Sequence, residues 1–196
     1  MTAGHYNPKD REKAQEWART LLRQPNFYVL DTETTGISPK DEIVQLGIID
    51  KNNRIVLNTL IKPSQPVPPA AMAVHKITNE MLADALPFSD WYVKVSALLA
   101  GQTLVAYNMD FDWRMLTQSA AIYGLPPFPV KAAARHCAMK EYARFKGQMD
   151  LRARTYRWYK LAEACKQQRI KVENAHDALG DVQMTLQLVH KMAEMA

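Results

Sequence analysis

Three short acidic segments contain the residues of this chain that are best suited to chemistry. They are DTETTG at residues 31–36, NMDFD at residues 108–112 and HDALGD at residues 176–181. Each stands at the edge of an apolar run, whereas most other acids fall on polar helix faces or in loops. Carboxylate oxygens are the ligands that hard divalent cations such as Mg²⁺ prefer. The joint pattern therefore indicates a carboxylate site of the kind that holds a divalent metal.

The first segment follows FYVLD, a short apolar run whose composition predicts a strand. Side chains two residues apart point to the same face of an extended chain, so Asp31 and Glu33 are expected to converge at the end of a sheet. These two carboxylates would supply half of a magnesium site. The alternative is a solvated strand end followed by a Thr-Gly turn.

The second segment contains two acids with different expected surroundings. Asp112 precedes Leu116 and Ala120 at helical spacing, so it heads a helix face that is otherwise buried. A buried carboxylate requires a partner or a metal. Asp110 points elsewhere on the same helix and is predicted to be a solvated or capping acid. The alternative for both acids is a first helical turn in which they complement the helix dipole.

The third segment begins the last predicted helix of the chain. His176 and Asp181 are five residues apart and would not share one face of a continuous helix. They converge if His176 lies in the preceding loop and only Asp181 lies within the helix. The alternative is that His176 is a surface or capping residue beside the helix start.

The elements that position these acids combine strands and helices. Residues 8–22 predict an amphipathic helix, capped by Asn7, that covers the core. The runs FYVLD, EIVQLGIID, RIVLNTLI and TLVAY predict strands. Short helices are expected around residues 80–85 and 91–100, and the pattern from Asp110 onward is mainly helical.

This order of elements predicts an α/β fold with a small mixed central sheet flanked by helices. The chain has 196 residues, 47% of them hydrophobic, which suffices for one sizeable core and not for two ordinary domains. We therefore expect an N-terminal helical extension at residues 1–26, packed on a main unit at residues 27–196.

Composition also narrows the class of protein. A formal net charge of +5 and a pI near 9.2 suit a polyanionic partner without requiring one. Neither a signal-peptide pattern nor an apolar run of membrane-spanning length is present in the sequence. The two cysteines form no C-x-x-C pair. A soluble, cytoplasmic protein with free thiols and no membrane association is the resulting expectation.

In the order and spacing of its acidic segments, the sequence resembles the DnaQ-like, DEDDh 3′-to-5′ exonucleases of the RNase H-like superfamily. DTETTG resembles the first motif of that family, and residues 108–112 and 176–181 match N-x-x-F-D and H-x-A-x-x-D. DEIVQLGIID, AVHKIT and YKLAEAC resemble the connecting segments of the family. The resemblance covers roughly residues 27–190 and leaves the N-terminal helix outside it.

The details of the motifs favour the histidine-type branch of this family. His176 stands at the histidine of the third motif, whereas the tyrosine-type relatives would require Tyr in place of Asp177. Two positions depart from the usual pattern: Tyr107 stands where the family often has His, and Gln45 stands where it often has a carboxylate. These departures make the subfamily harder to assign. They leave intact the five positions that are catalytic in the family, which are Asp31, Glu33, Asp112, His176 and Asp181.

The resemblance implies two-metal catalysis with Mg²⁺, for which Mn²⁺ would substitute. Asp31, Glu33 and Asp181 would bind one ion. Asp31 would bridge to a second ion, which Asp112 would support. Two ions about 3.5 to 4 Å apart assist both the attacking and the leaving oxygen of a phosphodiester. His176 would take the proton of the attacking water, a role that suits imidazole because its reference pKa of about 6.5 lies near working pH.

The resemblance also implies that the substrate is a nucleic-acid 3′ end, hydrolysed to nucleoside 5′-monophosphates. DNA with single-stranded or frayed ends is favoured over RNA, and a polymerase or repair assembly is a possible setting. The residues expected to meet the terminal nucleotide are Thr34, Thr35, Gly36, Ile37, His75 and Asn108. The alternatives are an RNA-trimming exoribonuclease and an inactive nucleic-acid-binding accessory module. The sequence leaves open the choice between monomer and homodimer.

Residues 131–160 form a basic stretch interleaved with aromatic residues. Such a stretch is typical of a surface that follows a nucleic-acid strand through its phosphates and stacked bases. The alternative is a set of solvated basic helix faces whose aromatic side chains pack inward.

Overall fold

A five-stranded sheet lies at the centre of the fold, and four of its strands are apolar runs near the start and the middle of the chain. The computed structural model describes residues 8–126, 132–150, 152–172 and 176–194. The strands of the sheet are β1 (Tyr28–Thr34), β2 (Ile43–Asp50), β3 (Ile55–Leu60), β4 (Thr103–Ala106) and β5 (Ala134–Cys137). They lie in the order β3-β2-β1-β4-β5. Strand β1 is antiparallel to β2 and parallel to β4, so the sheet is mixed, as the sequence predicts.

Helices cover both faces of this sheet. They are α1 (Pro8–Arg23), α2 (Pro69–His75), α3 (Phe88–Leu99), α4 (Met109–Ile122), α5 (Ala138–Lys146), α6 (Leu161–Gln167) and α7 (Ala178–Glu194). A separate hairpin pairs β6 (Met149–Asp150) with β7 (Thr155–Tyr156). None of the helices in the described ranges is long and apolar enough to cross a membrane.

Alternation along the strands places a large core on each face of the sheet, and a smaller third cluster contains Val44, Val67, Ile77 and Leu82. Val29 packs in a core that the sheet shares with α1, α5, α6 and α7, and Leu30 packs on the opposite face against α3 and α4. All eight residues of β2 are buried because helices cover both of its faces. Strand β1 is therefore paired along its length with a strand that is covered on both faces.

Helix α1 contributes to the first of these cores. Ala14, Ala18 and Leu21 are fully buried, and the helix packs against α5 and α7. Its Trp17 Nε1 donates a hydrogen bond of 3.1 Å to His136 Nδ1 on β5. The expected cap, Asn7, lies outside the described residues. The division of the chain after residue 26 stays a prediction.

One expectation about the elements was wrong, and one strand of the central sheet was not predicted. Residues 80–85 form turns and not a helix, with hydrogen bonds of the i to i+3 type such as that from the Leu82 amide to the Asn79 carbonyl. A segment this short, close before Pro87, gains little from helix propagation. Strand β5 was missed because its sequence, ARHC, shows neither an apolar run nor strict alternation. It forms as a parallel edge strand through its pairing with β4.

Candidate active site

The first acidic segment lies within β1. The strand continues through the segment to Thr34, so Asp31 and Glu33 occupy extended positions and not a turn. Asp31 pairs in register with Gly47 of β2, and Glu33 pairs with Gln45. The alternation predicted from the sequence therefore holds here: the two carboxylates share one face of the sheet, and Thr32 between them points to the other.

The first turn of α7 lies against β2 at Gly47, the residue that pairs with Asp31. A Cβ added to Gly47 would lie 2.8 Å from the carbonyl carbon of Ala178, so a side chain there would collide with the helix backbone. The missing side chain lets α7 approach the sheet closely. As a result, carboxylate oxygens of Asp31, Glu33 and Asp181 lie within 4.8 Å of one another.

Asp112 of α4 lies on the other side of Asp31. It is only 2% exposed, which agrees with the buried helix face predicted from the sequence. Its Oδ1 accepts hydrogen bonds from the Thr32 hydroxyl at 2.8 Å and from the Thr32 amide at 3.0 Å. Asp110, by contrast, is exposed and lies 2.5 Å from Lys140 Nζ, as expected for a solvated acid.

Burial and mutual repulsion raise the pKa of every carboxyl in this group. Burial and the charge of Asp112 hold the pKa of Asp31 well above its usual value. Burial and Asp181 raise the pKa of Glu33 to about 8, and burial raises that of Asp181 to about 6. Burial raises the pKa of Asp112 to about 7, although the hydrogen bonds from Thr32 oppose the shift. Closely spaced carboxylates that repel one another are a donor set that fits a divalent cation.

His176 lies in the turn that precedes α7. Its backbone has a φ of 64°, a left-handed conformation that turns the chain into the helix, and its amide donates to Asp181 Oδ1 at 3.3 Å. The residue is exposed, so its imidazole is accessible to solvent. His176 therefore lies in the turn and Asp181 lies within the helix, which is the condition under which the sequence predicts that the two residues converge.

The threonines after Glu33 and the turn that follows form one hydrogen-bonded unit. The Thr34 hydroxyl donates to the Gly36 carbonyl at 2.7 Å, and the Thr35 hydroxyl donates to Asp41 Oδ1 at 2.8 Å. Both hydroxyls are thus engaged within the protein, and their residues are buried. The turn presents Ile37, whose side chain is 79% exposed.

Two residues of α4 hold this turn against the helix. Gln118 Nε2 donates to the Ser38 carbonyl at 3.0 Å and also to the Asp41 carbonyl. Arg114 donates to the Ile37 carbonyl at 3.4 Å. The position of the exposed Ile37 is therefore set by α4, the helix that also carries Asp112.

His75 and Asn108 differ in their surroundings. His75 is 5% exposed, and its Nδ1 accepts the Ile77 amide at 3.0 Å. Its Nε2 lies near the Thr34 backbone and makes no well-aligned hydrogen bond with a described residue. Burial lowers the pKa of His75. Asn108 is exposed at the N-terminal cap position of α4, and its side chain makes no capping hydrogen bond.

Three residues beside the carboxylates were not identified as site residues from the sequence. Thr32 binds Asp112, and alternation along DTETTG placed it on the opposite face from Asp31. Gln45, which stands out as a departure from the family pattern, donates to Asp177 Oδ1 at 2.7 Å. Asp177 adds a further negative charge that raises the pKa of Glu33. The partners of Gln45 and Asp177 depend on how β2 meets α7, which local sequence does not reveal.

The basic stretch agrees in part with the inward-packed alternative. Tyr142, Phe145 and Tyr159 are buried, whereas Trp158 is 56% exposed. Lys131 lies outside the described residues. The basic residues of the stretch that are exposed are Arg135, Lys140, Arg152, Arg154, Arg157 and Lys160. A strand-following role for these residues stays a prediction.

Comparison with known proteins places these features in a family. The model of the RNase T family, described as exonuclease, matches residues 28–189. An uncharacterized exonuclease of Escherichia phage 186 is 37% identical over 189 residues, which are 93% of each chain. DNA polymerase III subunit epsilon of Treponema pallidum is 28% identical over 181 residues, covering 90% of this chain and 80% of that one.

A solved structure shares the fold. E. coli Exonuclease I in complex with a dT13 oligonucleotide superposes with a TM-score of 0.70 at 20% sequence identity. The match covers 88% of this chain and 41% of that chain, so the present chain spans less than half of Exonuclease I. With a family model that matches most of its length, the chain belongs to the RNase T family of exonucleases, which are DnaQ-like nucleases with an RNase H-like fold.

Proposed function

We propose that this chain is a metal-dependent 3′-to-5′ exonuclease that hydrolyses single-stranded or frayed DNA to nucleoside 5′-monophosphates. The observation that carries the proposal is the convergence of Asp31, Glu33 and Asp181, with Asp112 beside them. Membership of an exonuclease family supports the reaction class. DNA as substrate is supported by the polymerase III epsilon relative and by the dT13 oligonucleotide in the Exonuclease I complex.

The four carboxylates would hold the metal in this proposal. Asp31, Glu33 and Asp181 offer closely spaced oxygens to one Mg²⁺ or Mn²⁺ ion. Asp112, whose Oδ1 accepts both hydrogen bonds from Thr32, would support a second ion. Bound divalent ions supply positive charge to the scissile phosphate and to the attacking and leaving oxygens.

The protein's own groups orient the reaction around this centre. His176 is proposed as the base that takes the proton of the attacking water, because it is exposed and adjoins Asp181. Asp181 accepts the His176 amide and so ties the base to a metal ligand. Thr32 donates twice to Asp112 and thereby fixes the orientation of that carboxylate.

The terminal nucleotide would lie over the end of β1. Ile37 offers an exposed apolar side chain on which a base can pack, and Asn108 offers an exposed amide. His75 offers a buried Nε2 that has no well-aligned partner among the residues that the structure describes. Thr34, Thr35 and Gly36 would contribute mainly backbone groups, because both hydroxyls are already engaged. Packing on a base face discriminates little between sequences, so weak sequence preference is expected.

Digestion of matched 5′-labelled single-stranded DNA and RNA with Mg²⁺ tests this proposal. The variants are Asp31→Asn and His176→Asn, the latter because Asn tolerates the left-handed backbone at that position. Asp110→Asn is the control, since Asp110 is an exposed acid of the same segment as Asp112.

The expected result is a ladder that shortens from the 3′ end of DNA, absent in the two site variants and retained in the control. A ladder on RNA alone would replace DNA by RNA as the substrate and favour the exoribonuclease. No shortening of either strand by the unmodified protein, with Mg²⁺ or Mn²⁺, would refute the nuclease and favour an accessory module.

A further inference from the structure

Gln45 of β2 forms three hydrogen bonds at the edge of the carboxylate group. Its Nε2 donates to Asp177 Oδ1 at 2.7 Å and to Asn58 Oδ1 at 3.1 Å. Its Oε1 accepts the Ala178 amide at 3.2 Å. Gln45 is 6% exposed, so these bonds form away from bulk water. A buried carboxamide with its donors and its acceptor all engaged holds its partners in one geometry.

Two of these partners are Asp177, which directly precedes α7, and Ala178, the first residue of that helix. The Asp177 carbonyl accepts the Asp181 amide at 2.9 Å, and Asp177 Oδ2 accepts the Gly180 amide at 3.3 Å. Asp177 therefore acts as the N-terminal cap of α7. Its second oxygen is the one that Gln45 binds, so a single carboxylate joins β2 to the first turn of the helix.

The strand supports this connection at a second point. Gln45 and Gly47 lie two residues apart in β2, so they face the same side of the sheet. Gly47 meets the backbone of Ala178 and Leu179 at close range. Gln45 pairs in register with Glu33 of β1, and Gly47 pairs with Asp31. The strand that is paired with the carboxylates of β1 is thus the strand that holds the start of α7.

We propose that Gln45 is a positioning residue, whose carboxamide fixes Asp177 and Ala178 and thereby places Asp181 and His176 beside the carboxylates of β1. The catalytic consequence rests on the proposed nuclease function, whereas the structural connection does not. The amide supplies a donor toward the Asp177 carboxylate and an acceptor toward the Ala178 amide. A carboxylate at position 45, which the family often has, would keep the acceptor and face Asp177 with like charge.

Four variants distinguish the loss of the hydrogen bonds between Gln45 and the start of α7 from general damage to the fold. Gln45→Met conserves volume and removes both bonds to α7. Gln45→Glu retains the acceptor and loses the donor above the pH at which the new carboxyl ionises. The double variant Gln45→Glu with Asp177→Asn reverses the polarity of the bond, since the new amide can donate to Glu and still accept from Gly180. Asn58→Ala is the control, because it removes only the exposed partner of the carboxamide.

The first measurement is backbone amide hydrogen exchange of Ala178 and Asp181 in metal-free protein at pH 8, followed by nuclease turnover. We expect Gln45→Met to accelerate exchange of both amides by about tenfold, the scale of one lost hydrogen bond to a charged group. Gln45→Glu keeps the acceptor for the Ala178 amide and should accelerate exchange of the Asp181 amide by a similar factor. Turnover should fall by about tenfold or more. The reversed pair should return exchange and turnover to within about threefold of the unmodified protein, and the control should change neither.

The outcomes distinguish this proposal from the nuclease assignment. Accelerated exchange in the single variants with restoration in the double variant supports the connection, even if the unmodified protein cleaves no nucleic acid. Unchanged exchange in Gln45→Met, or a double variant that melts like the unmodified protein and yet keeps the fast exchange, overturns it. Normal turnover in both single variants would show that the connection does not position the site.

Discussion

Substitution of Gly47 by Ala probes the contact that brings Asp181 to Asp31. The added Cβ would lie 2.8 Å from the Ala178 carbonyl carbon and 2.9 Å from its oxygen. Both are backbone atoms, so no flexible side chain can move aside. Ordinary contact begins near 3.4 Å, and the first turn of α7 must therefore retreat by about 0.6 Å.

The retreat has two expected effects of different size. Forcing a methyl group into a packed contact costs about 1–3 kcal/mol in the free energy of unfolding. A misplacement of about 1 Å in a catalytic group can cost roughly a hundredfold in rate, so a shift of this size should lower turnover by about ten- to a hundredfold. Activity should thus suffer more than the stability of the fold.

Urea unfolding and initial rates of 3′-end DNA shortening, measured on the same preparation, test both effects. Gly101→Ala is the matched control: its φ of 70° makes any side chain strained, and nothing lies within 4 Å of the added Cβ. It should lose about 1–2 kcal/mol of stability and keep its turnover. Normal turnover in the Gly47 variant, or an equal loss of turnover in the control, would refute the reasoning.

Because the folded pKa of Glu33 is raised to about 8, above its unfolded value, the folded state binds its proton more tightly. The free energy of unfolding of chelator-treated protein should therefore fall from about pH 4 to 8, and a melting temperature that rises across this window would contradict the burial argument. Thr32→Val removes the 2.8 Å bond to buried Asp112 and should cost about 1–3 kcal/mol in urea unfolding, with Thr32→Ser largely restoring it. Gln118→Ala releases the turn that presents Ile37 and should raise KM severalfold while kcat changes less, so a loss confined to kcat would argue against it.

Local sequence was enough to predict strands β1 to β4 and the orientation of the first carboxylates. Alternation along β1 places Asp31 and Glu33 on one face whatever the rest of the chain does, because the strand period is two. Helical spacing likewise predicted the burial of Asp112 ahead of Leu116. These are properties of single elements, and single elements are encoded by neighbouring residues. The sequence left open whether His176 lies in the loop before α7 or is a surface or capping residue, and the structure places it, exposed, in the turn before that helix.

The tertiary structure alone decided how these elements meet. The approach of α7 to β1 depends on the bare backbone of Gly47, the orientation of Asp112 depends on Thr32, and the start of α7 depends on Gln45. Strand β5 forms because β4 offers it a partner. Each of these contacts joins residues that are distant in the chain and is set by the packing of two covered sheet faces. Residue type and spacing therefore determined which groups are candidates for the site, and long-range packing determined the distances between them.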